Sequence, residues 1–292
     1  MEPDILRIPI EPGQLHVERF GHGGEAVVLL HGFPTCSFLW RHVAPEIALR
    51  GSTAFAIDLL GYGESDRPFD ADFGVTAQAE YLDQAFTALR ISKAAVIGVD
   101  FGAAVALRLA ATRPERVTRL VLFNPPDMNR FPGPEVGELQ RNTARFALRV
   151  SQGVLGAAPL LTPLLQGSVS DPQHMPERLV ARYLAPFVGR EGVRHLLNLS
   201  RSMRQDDLEQ IELNALSVPT LIVFGEGDRW LDGKSVDRMA AQLGNARLVR
   251  LPSVGRLAPE EAPERVLELI RAVPRIPQGE EGILPARREP VG

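Results

Sequence analysis

The chain has 292 residues, of which 45% are hydrophobic and 23% charged, as is ordinary for a soluble globular protein. The net charge of −4 gives no reason to expect nucleic acid or an anionic membrane as a partner. No apolar run is long enough to span a bilayer, and the acidic start at Met1 to Asp4 is unlike a signal peptide. The single cysteine, Cys36, excludes an internal disulfide and fits a cytoplasmic location.

The first half of the chain alternates between predicted strands and predicted helices. Short β-branched runs predict strands at Gln14 to Phe20, Ala26 to Leu30, Thr53 to Ile57, Lys93 to Ile97 and Val117 to Phe123. Helical apolar spacing predicts helices over Ser37 to Leu49, from an N-cap at Thr76 to Leu89, and over Ala103 to Ala111. This alternation favours a mostly parallel, doubly wound α/β sheet.

The second half interrupts that alternation and then resumes it. Prolines punctuate segments that read as helices over residues 127–216, which predicts a helical cap inserted into the sheet domain. Strands are predicted at Thr220 to Phe224 and Ala246 to Leu251, followed by a helix over Ala262 to Ala272. The predicted core therefore combines residues 1–126 with 217–273. Residues 274–292, rich in Pro, Gly and charge, are predicted to be a disordered tail.

A five-residue stretch, Gly98-Val99-Asp100-Phe101-Gly102, joins a predicted buried strand to an alanine-rich helix. It has the pattern G-x-S-x-G of a nucleophile elbow, with Asp in place of Ser. A carboxylate at that point suits attack on a saturated carbon, giving an alkyl–enzyme ester, because acyl transfer to it would give a labile anhydride. The alternative is a plain turn in which Asp100 caps the helix.

A second turn, His31-Gly32-Phe33-Pro34, follows the predicted strand Ala26 to Leu30. Backbone groups at the carboxyl end of such a strand face the crevice where α/β proteins bind ligands. The backbone N–H groups of Phe33, in this turn, and of Phe101, after Asp100, form a candidate oxyanion hole. His31 is a candidate base, although bracing the loop by hydrogen bonds fits it better.

The ordered motifs resemble the α/β-hydrolase superfamily, and within it the branch of epoxide hydrolases and haloalkane or haloacid dehalogenases. The matching stretches are residues 31–34, 58–68, 98–102, 113–117 and 225–228, read as HGFP, DLLGYGESDRP, GVDFG, RPERV and GEGD. The resemblance implies an eight-stranded sheet with an inserted cap, a small-molecule substrate, Asp100 as nucleophile and Asp228 as the acidic triad member.

One position departs from that family pattern. Where the family keeps its catalytic histidine, the sequence Pro252-Ser253-Val254-Gly255-Arg256 places an arginine. Arginine has only donors and stays protonated, so it cannot take a proton from water. We therefore expect slow or blocked release of the covalent intermediate, and we expect Arg256 to pair with Asp228.

The groups that would activate a substrate also differ from those of the family. The aromatic residues at 33 and 101 are Phe, and the side chain of neither can hydrogen-bond a leaving halide; Trp40 and Trp230 are the candidate donors instead. Epoxide hydrolases usually supply two cap tyrosines, whereas only Tyr183 lies in this predicted cap. His31, Trp40, Tyr183 and Trp230 are therefore the candidate substrate-binding residues.

Three interpretations stay open from the sequence. The first is an epoxide or carbon–halogen hydrolase that has recruited another base, or whose histidine was replaced so as to trap the intermediate. The second is an isomerase, cyclase or lyase with Asp100 as base and Arg256 as anion binder. The third is a ligand-binding pseudo-hydrolase. No Cys/His cluster or dinucleotide fingerprint predicts a metal or cofactor, and the oligomeric state, including a homodimer, stays open.

Overall fold

The computed structural model describes residues 1–141 and 156–273, and eight strands of this part form one sheet. The strands are β1 (Asp4–Ile10), β2 (Gly13–Phe20), β3 (Ala26–Leu30), β4 (Thr53–Ile57), β5 (Ala94–Val99), β6 (Val117–Phe123), β7 (Thr220–Gly225) and β8 (Ala246–Leu251). Their order across the sheet is β1-β2-β4-β3-β5-β6-β7-β8. The pairs β1/β2 and β2/β4 are antiparallel and the other pairs are parallel. The prediction of a mostly parallel, eight-stranded sheet is confirmed.

Helices connect successive strands, and several of them lie together in one long segment between β6 and β7. They are α1 (Ala44–Ala48), α2 (Val75–Ala88), α3 (Phe101–Thr112), α4 (134–141, as far as it is described), α5 (Ala158–Gly167), α6 (Glu177–Leu184), α7 (Gly189–Ser202), α8 (Asp206–Glu209), α9 (Gly233–Gln242), α10 (Ala258–Glu261) and α11 (Pro263–Ala272). Helices α4 to α8 lie between β6 and β7, so a helical cap is inserted into the sheet domain as predicted. The exact limits of 127 and 216 stay a prediction, and the predicted tail at 274–292 lies outside the described residues.

The core is built on the five central strands, β3 to β7, in which every residue is buried. Their sequences are mostly apolar, as strands covered by helices on both faces require, and the one charged residue among them, Arg119 of β6, forms a buried ion pair with Glu25. The parallel central strands end at the same edge of the sheet. That edge carries the turns after β3, β5 and β7, where the candidate functional residues were predicted.

The sequence analysis missed β1. This strand forms a hairpin with β2 at the edge of the sheet, and its seven residues include only one that is buried. An edge strand of this kind is held mainly by backbone hydrogen bonds to its neighbour. Its side chains are mostly exposed, so its sequence lacks the apolar run that marks a buried strand.

Two predicted helices differ in detail. The helix expected over Ser37 to Leu49 is divided into a 3-10 turn, Ser37–Trp40, and the short α1. Helix α2 begins at Val75 with Gly74 as its N-cap, so the prediction of Thr76 as N-cap is wrong. A carboxylate from the cap, Asp207, satisfies the helix start instead. No helix in the described part of the chain is both long and apolar enough to cross a membrane.

Candidate active site

The turn between β5 and α3 places Asp100 in a strained conformation, with φ 51° and ψ −116°. Two glycines make the turn possible. A Cβ at Gly98 would lie 2.4 Å from the carbonyl oxygen of Gly102, and one at Gly102 would lie 2.4 Å from that of His31. A positive φ is costly for a residue with a side chain, so a packed turn must hold Asp100 there. This is the geometry expected of a nucleophile elbow.

The carboxylate of Asp100 faces the backbone donors predicted as the oxyanion hole. Its Oδ2 accepts a hydrogen bond from the N–H of Phe33 at 3.1 Å, and the backbone of Phe101 also hydrogen-bonds it. Burial raises the pKa of Asp100 to about 6, against the opposing effect of the nearby Arg256. The carboxylate is therefore mostly ionised at neutral pH and becomes protonated in mild acid.

The arginine after β8 pairs with the acid after β7, as expected. Arg256 Nε lies 2.9 Å from Asp228 Oδ2, and Nη2 lies 3.4 Å from Oδ1. The Asp228 side chain is fully buried and also accepts from Asn124 Nδ2 at 3.0 Å and from the N–H of Trp230 at 2.9 Å. Burial by itself would raise the pKa of Asp228, but Arg256 and these donors outweigh it and hold that pKa below its ordinary value.

A third carboxylate, from the cap, completes the surroundings of Arg256. Glu135 lies in the first turn of α4, and its Oε1 is 2.6 Å from Arg256 Nη1, which is also 3.5 Å from Asp100 Oδ1. The other oxygen, Oε2, is buried and has no hydrogen-bond partner among the described residues. The sequence analysis missed Glu135. Acidic residues are common in the first turn of a helix, so an acid that follows the Pro132-Gly133 turn gives no sign of a functional role.

The guanidinium is outnumbered by carboxylates. Burial by itself would lower the pKa of Arg256, but Asp100, Asp228 and Glu135 raise it above its ordinary value. The indole ring of Trp230 lies against the guanidinium, with its centre 4.9 Å from Cζ. Arg256 is thus a permanently charged centre, and it cannot take the place of histidine as a base.

These groups line a small cavity of about 70 Å³ between the sheet edge and the cap. Its walls include Phe33, Asp100, Phe101, Glu135, Trp230 and Arg256. Ligand pockets usually measure about 300 to 1,000 Å³, whereas a water molecule takes up about 30 Å³. As described, the cavity holds a few water molecules or a small part of a substrate.

Comparison with known proteins agrees with this architecture. Residues 25–263 match the family model described as the alpha/beta hydrolase fold. The chain belongs to the α/β hydrolase fold family. Its likeness to a solved α/β hydrolase fold protein from Burkholderia ambifaria has a TM-score of 0.80, with 29% identity over 91% of this chain and 97% of that one.

Curated relatives of this α/β hydrolase include two haloalkane dehalogenases. The protein from Mesorhizobium japonicum is 39% identical over 121 residues, which are 41% of this chain and only 38% of that protein. The protein from Mycobacterium marinum is 31% identical over 218 residues, which are 70% of this chain and 69% of that one. The chain thus spans little more than a third of the length of the first of these relatives.

Of the four candidate substrate-binding residues, Trp230 lies in the wall of the α/β hydrolase's cavity and His31 does not. His31 is fully buried: Nε2 accepts from the N–H of Leu59 at 3.1 Å, and Nδ1 lies 3.0 Å from the carbonyl oxygen of Gly32. Burial lowers the pKa of His31, which favours the neutral ring. Both ring nitrogens are occupied, so His31 braces the turn that contains Phe33 and has no free nitrogen to act as a base.

Trp40 and Tyr183 also pack away from the cavity. Trp40 is completely buried, and its Nε1 has no hydrogen-bond partner among the described residues. The hydroxyl of Tyr183 donates to Glu260, whose carboxylate is held by Arg41 at 2.6 and 2.7 Å. Tyr183 therefore joins the cap to the core, and in this arrangement neither side chain reaches a substrate beside Asp100.

Proposed function

We propose that this α/β hydrolase uses Asp100 to attack a saturated carbon of a small organic substrate, either a carbon–halogen compound or an epoxide. The observation that carries the proposal is the carboxylate at the strained elbow, held 3.1 Å from the N–H of Phe33 in the wall of a small cavity. The haloalkane dehalogenases among its relatives support the same chemistry.

Two steps follow from this geometry. In the first, an oxygen of Asp100 bonds to the carbon, and the bond to halide or to the epoxide oxygen breaks with its electron pair. In the second, water attacks Cγ of the resulting ester and the alcohol leaves. The N–H groups of Phe33 and Phe101 then stabilise the oxyanion that forms on the former carboxylate.

The charges around Arg256 favour a neutral substrate. Three carboxylates surround one guanidinium, so a bound anion would meet excess negative charge at close range. This counts against Arg256 as an anion binder, the role it would have in a non-hydrolytic enzyme or a pseudo-hydrolase.

Intact-mass spectrometry with a panel of alkyl halides and epoxides tests the nucleophile. We expect the protein to gain the mass of one alkyl group, mapped to Asp100, and Asp100→Asn to gain none. Cys36→Ser is the matched control, since the only cysteine is the obvious competing site of alkylation, although it is buried. The proposal fails if neither an adduct nor release of halide or diol is found with any member of the panel.

Replacing Arg256 tests whether the arginine at this position slows hydrolysis of the Asp100 ester. Arg256→His places an imidazole beside Asp228, the acid that would orient it. Because an imidazole oriented by Asp228 is a stronger general base than a carboxylate, we expect the ester to decay faster than in the unaltered protein. Arg256→Lys, which keeps the charge but adds no such imidazole, should not speed decay. An equally long-lived ester in the histidine variant would argue against water attack at this position.

We also propose a cytoplasmic location, supported by a fold that leaves its single cysteine buried and free. A small molecule is the expected binding partner, and size-exclusion chromatography with light scattering would decide between monomer and homodimer. Cell fractionation tests the location; recovery outside the cytoplasm would contradict it.

A further inference from the structure

We propose that Glu135 is the general base of the second step and takes the proton from the water that hydrolyses the Asp100 ester. This inference rests on the proposed function, since it needs that ester to form. It assigns the missing role to a residue of the cap, brought by α4 to the point where Arg256 meets Asp100.

The acid after β7 is not available for this role. Both oxygens of Asp228 are occupied: Oδ2 by Arg256 and Asn124, and Oδ1 by the N–H groups of Trp230 and Leu231 at 2.9 and 3.3 Å. Its side chain is fully buried and its pKa is held below the ordinary range. Asp228 orients Arg256, and it offers water no free lone pair.

Two other carboxylates in the cavity wall are engaged elsewhere. Asp127 accepts from the N–H of Asn129 at 3.0 Å and lies 3.6 Å from Arg238. Asp232 is exposed and caps α9 through the N–H of Lys234 at 3.1 Å. Both carboxylates serve local turns, and Asp232 faces solvent.

Glu135 differs from all of these. Its side chain is 6% exposed, Arg256 holds Oε1, and Oε2 is buried with no partner in the described part of the chain. A buried carboxylate oxygen without a donor is costly, so a water molecule is its natural partner in a cavity of this size. Arg256 Nη1 lies 2.6 Å from Glu135 Oε1 and 3.5 Å from Asp100 Oδ1, and both carboxylates line the same cavity, so a water bound to Glu135 would share that small space with the ester.

The proton and electrons balance through these residues alone. The oxygen of water bonds to Cγ of the Asp100 ester while Glu135 accepts one of its protons. The tetrahedral intermediate then collapses, the bond to the alkyl oxygen breaks with its electron pair, and Glu135 returns that proton to the leaving alkoxide. The remaining proton of the water leaves the new carboxylic acid for solvent, and Asp100 and Glu135 are both restored.

The experiment follows the ester in time by intact mass, using whichever halide or epoxide of the panel labels Asp100. In Glu135→Gln we expect the ester to form as in the unaltered protein and to decay at least about 100-fold more slowly. Glu138→Gln is the matched control, since Glu138 lies one turn further along α4 and is exposed. Its ester should decay at the unaltered rate.

Two further measurements separate a catalytic from a structural role. Formate added to Glu135→Ala should restore part of the decay rate, because a small carboxylate can enter the space left by the side chain. In the Arg256→His background, where an imidazole is present, Glu135→Gln should have little effect on decay.

The outcomes separate failure of the proposed function from failure of the inference about Glu135. If no protein forms the ester, Asp100 is not the nucleophile and the proposed function fails. If the unaltered protein forms an ester that never decays, or if Glu135→Gln decays equally fast, Asp100 stands and Glu135 is not the base. Loss of ester formation in Glu135→Gln alone would place Glu135 in the first step and would also overturn the inference.

Discussion

At the scale of single residues, the site is organised by a charge imbalance around Arg256. One buried guanidinium contacts Asp100, Asp228 and Glu135, and each of these carboxylates depends on it for compensation. Removing one partner of a buried ion pair is more damaging than never having the pair, because the remaining charge stays buried alone.

We therefore expect Arg256→Ala to lower the free energy of unfolding by about 3 to 5 kcal/mol at neutral pH. Urea denaturation measures this loss, which should shrink at about pH 5, where Asp100 is protonated. Arg265→Ala is the control: its side chain is 52% exposed, and its pair with Glu268 should contribute less than about 1 kcal/mol. A loss no larger than that of the control would contradict this account of the site.

The raised pKa of Asp100 also fixes the pH dependence of its alkylation. Only the ionised carboxylate is a nucleophile, so the initial rate of ester formation should be constant above about pH 7 and fall about tenfold per pH unit below its pKa of about 6. Intact-mass rates over a series of buffers measure this. A rate that stays flat down to about pH 4.5 would mean that Asp100 keeps an ordinary pKa.

Of the four charged residues that meet at Arg256, the sequence predicted three as site residues, but it gave no indication of Glu135. Asp100, Asp228 and Arg256 stand in short motifs whose place after a strand is visible in the sequence. Glu135 lies in the cap, where sequence spacing says nothing about which helix faces the sheet. Its role depends on the approach of α4 to β8, a contact between segments more than one hundred residues apart in the chain.

At the scale of elements, the start of α2 shows the same dependence on distant contacts. Asp207 of α8 accepts hydrogen bonds from the N–H of Val75 and of Thr76 at 3.2 and 3.3 Å, and from the Thr76 hydroxyl at 2.5 Å. A side chain from the cap thus does what a local N-cap usually does. A sequence pattern detects a cap only within one turn, which explains the wrong choice of Thr76.

We expect Asp207→Ala to lower the free energy of unfolding by about 1 to 2 kcal/mol, as loss of an N-cap usually does. The neighbouring Asp206→Ala is the control, because Asp206 is exposed and should change stability by less than about 0.5 kcal/mol. Chemical denaturation of the two variants decides the matter. Equal effects would mean that the carboxylate of Asp207 adds nothing to the start of α2.

At the scale of the whole molecule, the sheet was more predictable than the cap. The central strands are mostly apolar and are buried on both faces, so their sequence predicts their place in the sheet. The cap packs apolar side chains against the core, such as Phe131 on Phe101, and adds polar contacts of Tyr183 with Glu260 and of Glu135 with Arg256. Such contacts are set by how the helices pack, and the sequence carries no period that marks them.

The stability of the whole protein should depend on the ionisation of the buried carboxylate of Asp100. The pKa of Asp100 is raised from an ordinary value of 3.8 to about 6, so between these values the folded state binds more protons than the unfolded state. Stability therefore falls as pH rises through that window and stays lower above it, by about 3 kcal/mol.

Asp100→Asn lacks this titration. Compared with the unaltered protein, we expect it to gain stability steadily from about pH 4 to pH 6 and to hold that gain at neutral pH. Thermal unfolding of both proteins across this range is the measurement. Parallel stability curves would show that the carboxylate of Asp100 is not destabilised by burial.

The shared guanidinium has a consequence for how this chain can change by mutation. A histidine at 256 beside Asp228 would leave Glu135 without the cation that now holds it, while loss of Glu135 would leave Arg256 with one carboxylate fewer. The effect of a substitution at either position therefore depends on the residue at the other, and we expect the free-energy changes of the two single substitutions not to add up to that of the double substitution.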